Sequence, residues 1–376
     1  MAISKVTTAS ITDADITTAK LAYDAAPFRN IVINGDMSIA QRGTSATGLT
    51  NGSSGYHTVD RFHFGEGGSP SAVFTMSQST DVPTGQGFAT SLKMDCTTAQ
   101  GALSASDIMR ISTAFEGQNL QYLKKGTSSA ESLTLSFWVK SNKTGTYTMR
   151  IEDNDNARMI CKSYTISSAD TWEKKTITFD GDTTGTIDND NGGGMTMRFN
   201  LFAGTNYDTG TLQTTWGSRT DANSAVGQVN LADSTSNEWY ITGVQLEAGT
   251  SASDFEFLPY DVNLQRCERY CSTLASGLQS LGLGFQNATD SMYFPQKLKQ
   301  TMRATPSLNQ VTGTDYYAFD TGSGTDNFNS ITLIGAYSNE RYIEIANVSD
   351  ISGTAGDSGF IRANNSSVLV LLEAEL

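Results

Sequence analysis

The sequence predicts an all-β protein: a jelly-roll β-sandwich, a short linking helix and a second, smaller β-sandwich, with an extended arm in front. Three observations predict it. Charged residues are only 17% of the 376-residue chain, which is rich in Gly, Ser, Thr, Asn and Asp, whereas ordinary globular chains carry roughly 25%. Short runs that alternate apolar and polar residues recur between polar turn clusters, as in a half-buried strand. A single stretch has convincing helical spacing.

The arm is residues 1–27. Its apolar residues Val6, Ile11, Ile16 and Leu21 are spaced by five in a background of Thr, Ala, Ser and Asp, a period that suits neither helix nor strand. Such a segment cannot bury its own side chains. The expectation is an attachment element whose apolar residues insert into another chain.

Residues 28–260 read as the jelly roll. In Leu133-Thr-Leu-Ser-Phe-Trp-Val-Lys140, Leu133, Leu135, Phe137 and Val139 share one face, and Trp138 falls on the other. Met195, Met197, Phe199 and Leu201 alternate in the same way with Thr196, Arg198 and Asn200, and Ile177 and Phe179 continue the pattern after Trp172. The intervening loops hold Asp153, Asp155, Asp180, Asp182, Asp188 and Asp190 among Asn, Gly and Thr, where short polar side chains favour turns. Many short strands with such turns point to an antiparallel sandwich.

Residues 261–275 read as the linker helix. Leu264, Cys267, Cys271 and Leu274 lie at helical spacing, with Asp261 placed to cap and Gly277 to terminate. A hinge between two domains is expected there. Residues 276–376 return to strand patterning in Ile331–Tyr337 and Arg341–Ala346 and close on the apolar strand Ser367–Leu372.

The formal charge of −14, with no basic stripe, argues against nucleic-acid and anionic-membrane partners. The longest apolar run, about Val368–Leu372, falls far short of the roughly 20 residues of a spanning helix, and Met1–Asp15 has no signal-peptide core. A soluble protein made in a cytoplasm is expected. Four cysteines are too few for a disulfide scaffold and read as small apolar core groups. The two histidines, His57 and His63, are placed by their spacing on one strand face, and the chain has no Gly-x-Ser-x-Gly nucleophile motif. No enzymatic activity is expected. Nor do the glycines at 192–194 precede a Lys-Ser or Lys-Thr that would mark a phosphate loop.

Several segments resemble a jelly-roll module, similar to carbohydrate-binding modules, that recurs in phage tail and tail-fibre proteins. They are Asn34-Gly-Asp-Met-Ser-Ile-Ala-Gln-Arg-Gly43, Thr58-Val-Asp-Arg-Phe62, Trp172–Asp182 and Tyr240–Gly249, followed by Ser253–Pro259 and a helix around Leu264–Tyr270. Phe294–Pro306, the ending Glu373-Ala-Glu-Leu376 and the Thr-rich Ser10–Leu21 look like further parts of such proteins. The resemblance implies a virion location, a homo-oligomer that is often a trimer, and binding rather than turnover of host-surface glycan. The arm would then join other tail proteins and the C-terminal domain would face the host. A tailspike-type polysaccharide depolymerase and a head decoration protein are the alternatives. A β-helical depolymerase would show a repeat of roughly 20 or more residues, and none is visible.

Modules of this kind often hold a structural calcium ion where first and last strands meet, which here points to Asp36, Glu247 and Asp254; no other cofactor is implied. Sugar rings stack on aromatic faces. The expected glycan contacts are Trp138, outward by strand alternation, and Tyr207, Trp216, Tyr316, Tyr317 and Tyr337 in or beside turn-rich stretches.

Overall fold

The computed structural model describes residues 28–376. The predicted arm, with Val6, Ile11, Ile16 and Leu21, lies outside the described residues.

The first unit contains β1 (Ser45–Leu49), β2 (Gly55–Tyr56), β3 (His63–Gly67), β4 (Val73–Ser79), β5 (Ser91–Thr98), β6 (Ile108–Glu116), β7 (Leu133–Ser141), β8 (Gly145–Asp153), β9 (Arg158–Ile166), β10 (Glu173–Phe179), β11 (Gly193–Ala203), helix α1 (Thr205–Asp208), β12 (Gly217–Ser218) and β13 (Glu238–Ala248). A six-stranded sheet runs β1-β4-β5-β13-β7-β10, and a seven-stranded sheet runs β12-β9-β8-β11-β6-β3-β2. The pairings are antiparallel and successive strands keep crossing between the sheets, as from β5 to β6 and from β6 to β7. This is a jelly-roll β-sandwich. The inward residues read from the alternation, Leu133, Leu135, Phe137, Val139, Met195, Met197, Phe199 and Leu201, join one core between the sheets.

Helix α2 (Tyr260–Glu268) leads into the second unit, which contains β14 (Cys271–Ser276), β15 (Gln279–Ala288), β16 (Ser291–Lys297), β17 (Ser307–Gln310), β18 (Tyr317–Thr321), β19 (Gly324–Phe328), β20 (Thr332–Leu333), β21 (Tyr342–Asn347), β22 (Ser358–Ala363) and β23 (Leu369–Glu373). Sheets ordered β14-β23-β17 and β19-β18-β22-β15-β16-β21-β20 enclose a second core around Phe294, Tyr317, Phe319, Ile345 and Val370.

The predicted linker helix is corrected at its end. It stops at Glu268 rather than Ala275: Tyr270 donates its backbone N–H to the Cys267 carbonyl, and the chain enters β14, where Cys271 pairs with Glu373. Pro259, not Asp261, occupies the N-cap. Cys267 and Cys271 are therefore not one helical turn apart, although all four cysteines are free and buried. His57 and His63 do not share a strand either, because β2 ends at Tyr56 and only His63 lies in β3.

The expected hinge is a buried polar seam. Arg61, 1% exposed, pairs with Glu375 and lies 3.5 Å from the Tyr270 ring centroid. Arg42 binds Glu373 and Glu375, and Gln41 accepts from the backbone N–H of Thr273. Arg269 makes a bidentate pair with Glu116, to which Tyr270 also donates. Arg303 donates to the carbonyls of Ala374 and Glu375 in its own unit, and its carbonyl accepts from Asn191 of the first unit. Each guanidinium needs several acceptors once water is removed, and both sandwiches supply them.

Candidate functional site

Side chains on alternate positions of a strand face away from the core. On the seven-stranded sheet, β6, β11 and β8 lie side by side, and their register sets Ser112 opposite Arg198 and Arg198 opposite Arg150. Across β3, His63 stands opposite Ser112. In the adjoining row Arg110 stands opposite Gly65 on one side and Asn200 on the other. Glu152 belongs to the row beyond Arg150, opposite Thr196. Three guanidiniums are thereby gathered on one outer face.

Glu152 is only 2% exposed and lies between two of them, with Arg150 Nε at 2.9 Å and Arg198 Nε at 2.8 Å from its oxygens. Burial opposes its charge, yet the two guanidiniums hold its carboxyl below the usual range. Burial, reinforced by Arg198 and Arg150, pushes Arg110 down to about 10. Burial, reinforced by Arg198 and Arg110, also pushes His63 down to about 4. Buried Arg110 Nε, Arg150 Nη1 and Asn200 Oδ1 have no hydrogen-bond partner in the protein. The face thus combines clustered positive charge with unused donors and an unused acceptor.

The segment after β11 walls one side. Tyr207 packs against Ile108, Ala203 and Ala225, Gln228 accepts from the backbone and hydroxyl of Thr148, and Gln213 bonds the backbone of β9 at Met159 and Cys161. Asp221 in this segment adds a negative charge felt by Arg150. His63, Arg110 and Arg198 stay half-exposed.

The six predicted glycan-contact rings do not converge. Trp138 is half-buried on the outer face of the other sheet, opposite Lys174 and Thr242. That face carries a second aromatic cluster, unexpected from the sequence, in which Lys140 sits 4.4 Å from the Tyr240 ring centroid and Trp172 donates to Asp81. Tyr207 is the one predicted ring beside the arginine face. Trp216 is capped by Lys125, whose Nζ lies 3.8 Å from its centroid, and it donates to the Asp180 carbonyl. Tyr316 packs against the second core, and Tyr337 is 73% exposed on a 3-10 turn. Tyr317 is a correction: it is fully buried, stacked on Phe328 with centroids 5.5 Å apart. Its place in β18, paired on both sides by β19 and β22, makes it core.

Two of the three predicted calcium ligands, Glu247 and Asp36, are engaged by protein donors. Glu247 accepts from Ser253 N and Oγ and from Gln245, and Asp36 accepts from Ser38 and Asn263. The Asp254 backbone carbonyl, not its carboxylate, joins this network by accepting from Arg29 and Gln245. Among the described residues no group of three His, Cys, Asp or Glu side chains is arranged to hold a metal ion. The loop aspartates act within the chain: Asp182 pairs with Arg158 and Lys125, and Asp155 and Asp190 accept from turn N–H groups. Among the described residues no helix is long and apolar enough to cross a membrane.

The arginine face was not legible as a site because residues 110, 150 and 198 meet only through strand pairing. The available signal was local: Arg198 occupies an outward position of an alternating strand in a chain with few basic residues.

No family model matches the chain, and no curated protein matches it in sequence. Solved structures similar to part of it include the enzymatically active domain of tailspike protein 4 of bacteriophage CBA120, at 12% identity, over 59% of this chain and 22% of that one, with a TM-score of 0.32. The family 11 carbohydrate-binding module of Clostridium thermocellum, in complex with a β-1,3-1,4-mixed-linked tetrasaccharide, is similar at 12% identity over 56% of this chain and 98% of the module, with a TM-score of 0.27. The xylan-binding CBM22-2 domain of Paenibacillus barcinonensis Xyn10C is similar at 14% identity over 57% and 96%, with a TM-score of 0.27. The chain thus spans about a fifth of the tailspike chain's length. These likenesses concern the β-sandwich alone, and its assignment here rests on the strand order described above.

Proposed function

We propose that this chain is a structural, non-catalytic component of a phage tail that contacts host-surface glycan through the outer face of the seven-stranded sheet. The observation that carries the glycan reading is the cluster of half-exposed His63, Arg110 and Arg198 on that face, beside buried polar atoms without a protein partner, Arg110 Nε, Arg150 Nη1 and Asn200 Oδ1. Buried polar groups are almost always hydrogen-bonded, so this face is polar in excess of its internal partners, and its half-exposed guanidinium and imidazole groups can bond saccharide hydroxyls. Hydrolysis of a glycosidic bond needs a carboxylic acid kept protonated near neutral pH. Glu152 is held in the opposite state by Arg150 and Arg198, which favours binding without turnover.

The tail assignment is supported by the sequence segments resembling tail proteins. Several of them, Asn34–Gly43, Thr58–Phe62, Leu264–Tyr270, Phe294–Pro306 and Glu373–Leu376, supply the residues of the seam between the sandwiches. A homotrimer and attachment through residues 1–27 belong to the same proposal. Exposed Leu283 and Phe360, opposite each other on β15 and β22, with Phe285 beside them, support self-association. The test is retention of purified chain by immobilised host envelope polysaccharide, with reducing ends assayed in parallel. Retention without new reducing ends is expected; new reducing ends would make the chain a depolymerase, and absence of retention would remove glycan contact.

A further inference from the structure

The outer face of the seven-stranded sheet is unusual in charge as well as in unused hydrogen-bonding capacity. The whole chain carries a formal charge of −14, yet Arg110, Arg150 and Arg198 crowd together around the single carboxylate of Glu152. Arg198 stands directly opposite Arg150 in the β11–β8 register. Like charges opposite one another on a sheet destabilise it, so an arrangement of this kind calls for an offsetting anion. Glu152 supplies part, accepting a hydrogen bond from Arg198 and forming an ion pair with Arg150. Asp221 reaches Arg150 electrostatically from the walling segment. Neither acts as a hydrogen-bond acceptor for Arg110 Nε or Arg150 Nη1, which stay buried and unpartnered.

From this geometry we infer that the Arg110–Arg150–Arg198 cluster receives an anionic substituent, in the first place a carboxylate, of an acidic polysaccharide. The inference rests on the glycan-binding reading and narrows it to acidic sugars. Guanidinium groups match the planar, two-oxygen geometry of a carboxylate. Arg150 is almost fully buried, and Arg198 keeps 21% of its side chain exposed, so the cluster has an inner donor and an outer one. The sugar ring carrying the carboxylate would rest against His63, Arg110 and Arg198, the half-exposed side chains of the face, with Arg110 and His63 packed over Gly65. His63, crowded by Arg198 and Arg110, would sense an arriving negative charge.

The probes are polygalacturonate, which carries a carboxylate on every residue, and a neutral galactan, applied to the full chain in calorimetry at 50 and 500 mM NaCl. Polygalacturonate should bind at least tenfold more tightly than galactan and weaken at least tenfold at the higher salt. Arg198→Ala, chosen because its side chain is partly exposed, should lose at least tenfold in affinity while keeping the parent circular dichroism spectrum, and Arg198→Lys should fall between. In NMR titrations polygalacturonate should raise the His63 pKa, and inorganic phosphate should compete only weakly. Equal binding of galactan and polygalacturonate, or unchanged affinity in Arg198→Ala, overturns the acidic-sugar inference and leaves glycan binding standing. Failure to bind either polymer or host envelope polysaccharide overturns both. Full competition by inorganic phosphate would mark a simple anion site and also overturn the inference.

Discussion

Arg61 of the first sandwich and Glu375 of the second form an ion pair inside the junction of the two units, with the Arg61 guanidinium stacked over Tyr270. Burial opposes the charge on Arg61, yet Glu375 and its neighbours leave its pKa raised. Removing one member of such a pair strands the other in a low-dielectric site at about 3–5 kcal/mol. Arg61→Ala is expected to lower stability by this order. Glu375→Gln should cost at least as much, because it leaves buried Arg61 without an ion-pair partner, whereas Glu375 keeps Arg42 when Arg61 is removed. Urea unfolding of the parent chain should show one transition, and Arg61→Ala should split it into two as the sandwiches uncouple. A single unshifted transition in the variant would show the seam to be dispensable.

Tyr317 and Tyr337 provide a paired test of burial. Tyr317→Ala empties a core position between Phe328 and the β22 strand and should cost about 3–5 kcal/mol, as for other large aromatics. Tyr337→Ala, at a 73% exposed position, should change stability by less than about 0.5 kcal/mol. Thermal unfolding of the two variants side by side decides it, and similar losses in both would contradict the strand pairing described for β18.

Trp216 should matter for stability rather than for ligand. Lys125 covers its ring and is itself buried against Asp153 and Asp182, at 3.6 and 3.5 Å. Lys125→Met leaves these carboxylates short of a partner and should destabilise the fold by a few kcal/mol, although Arg158 still holds Asp182. Trp216→Ala should lower the unfolding midpoint and leave polysaccharide affinity within twofold. A loss of affinity without loss of stability would restore Trp216 as a ligand contact.

His63 should impose an acid limb on stability. In the fold it stays unprotonated to about pH 4, whereas an unfolded imidazole takes its proton near pH 6.5. Between these values the unfolded chain binds more protons, so His63 lowers stability as pH falls from about 6.5 to 4. Asp60 acts with the opposite sign: burial pushes it up to about 6 from 3.8, so its proton binds the fold first as pH falls through that window. Comparing His63→Gln with the parent isolates the histidine. The urea-midpoint difference should move in the variant's favour on acidification, and a pH-independent difference would contradict the crowding of His63 by Arg198 and Arg110.

Much of the fold was legible because alternation is a local property. The Leu133–Val139 and Met195–Leu201 faces point into the core, and Asp155 and Asp190 lie in turns, whereas Asp153, expected in a loop, ends strand β8. What was not legible depends on partners distant in sequence. The helix was read too long because Cys271 and Leu274 also fit a strand, and only β23 decides between them. The sequence sets Tyr317 in or beside a turn-rich stretch, and both of its strand neighbours, β19 and β22, come from later in the chain. The arginine cluster needs three strands in register, and two of the predicted calcium ligands, Glu247 and Asp36, found intramolecular donors in Ser253, Gln245, Ser38 and Asn263 that no spacing discloses. Several of the segments that carry the family resemblance hold the two sandwiches together, whereas Trp172–Asp182 and Tyr240–Gly249 belong to the first sandwich alone.

The central claim, glycan contact at the outer face of the seven-stranded sheet, is tested most directly by hydrogen–deuterium exchange of the intact chain with and without host envelope polysaccharide. Added polysaccharide should slow exchange in β3, β6 and β11 around His63, Arg110 and Arg198, and leave the β15–β22 face of the second sandwich unchanged. Protection confined to the second sandwich, or to the Trp138–Trp172 face of the first, would contradict the account.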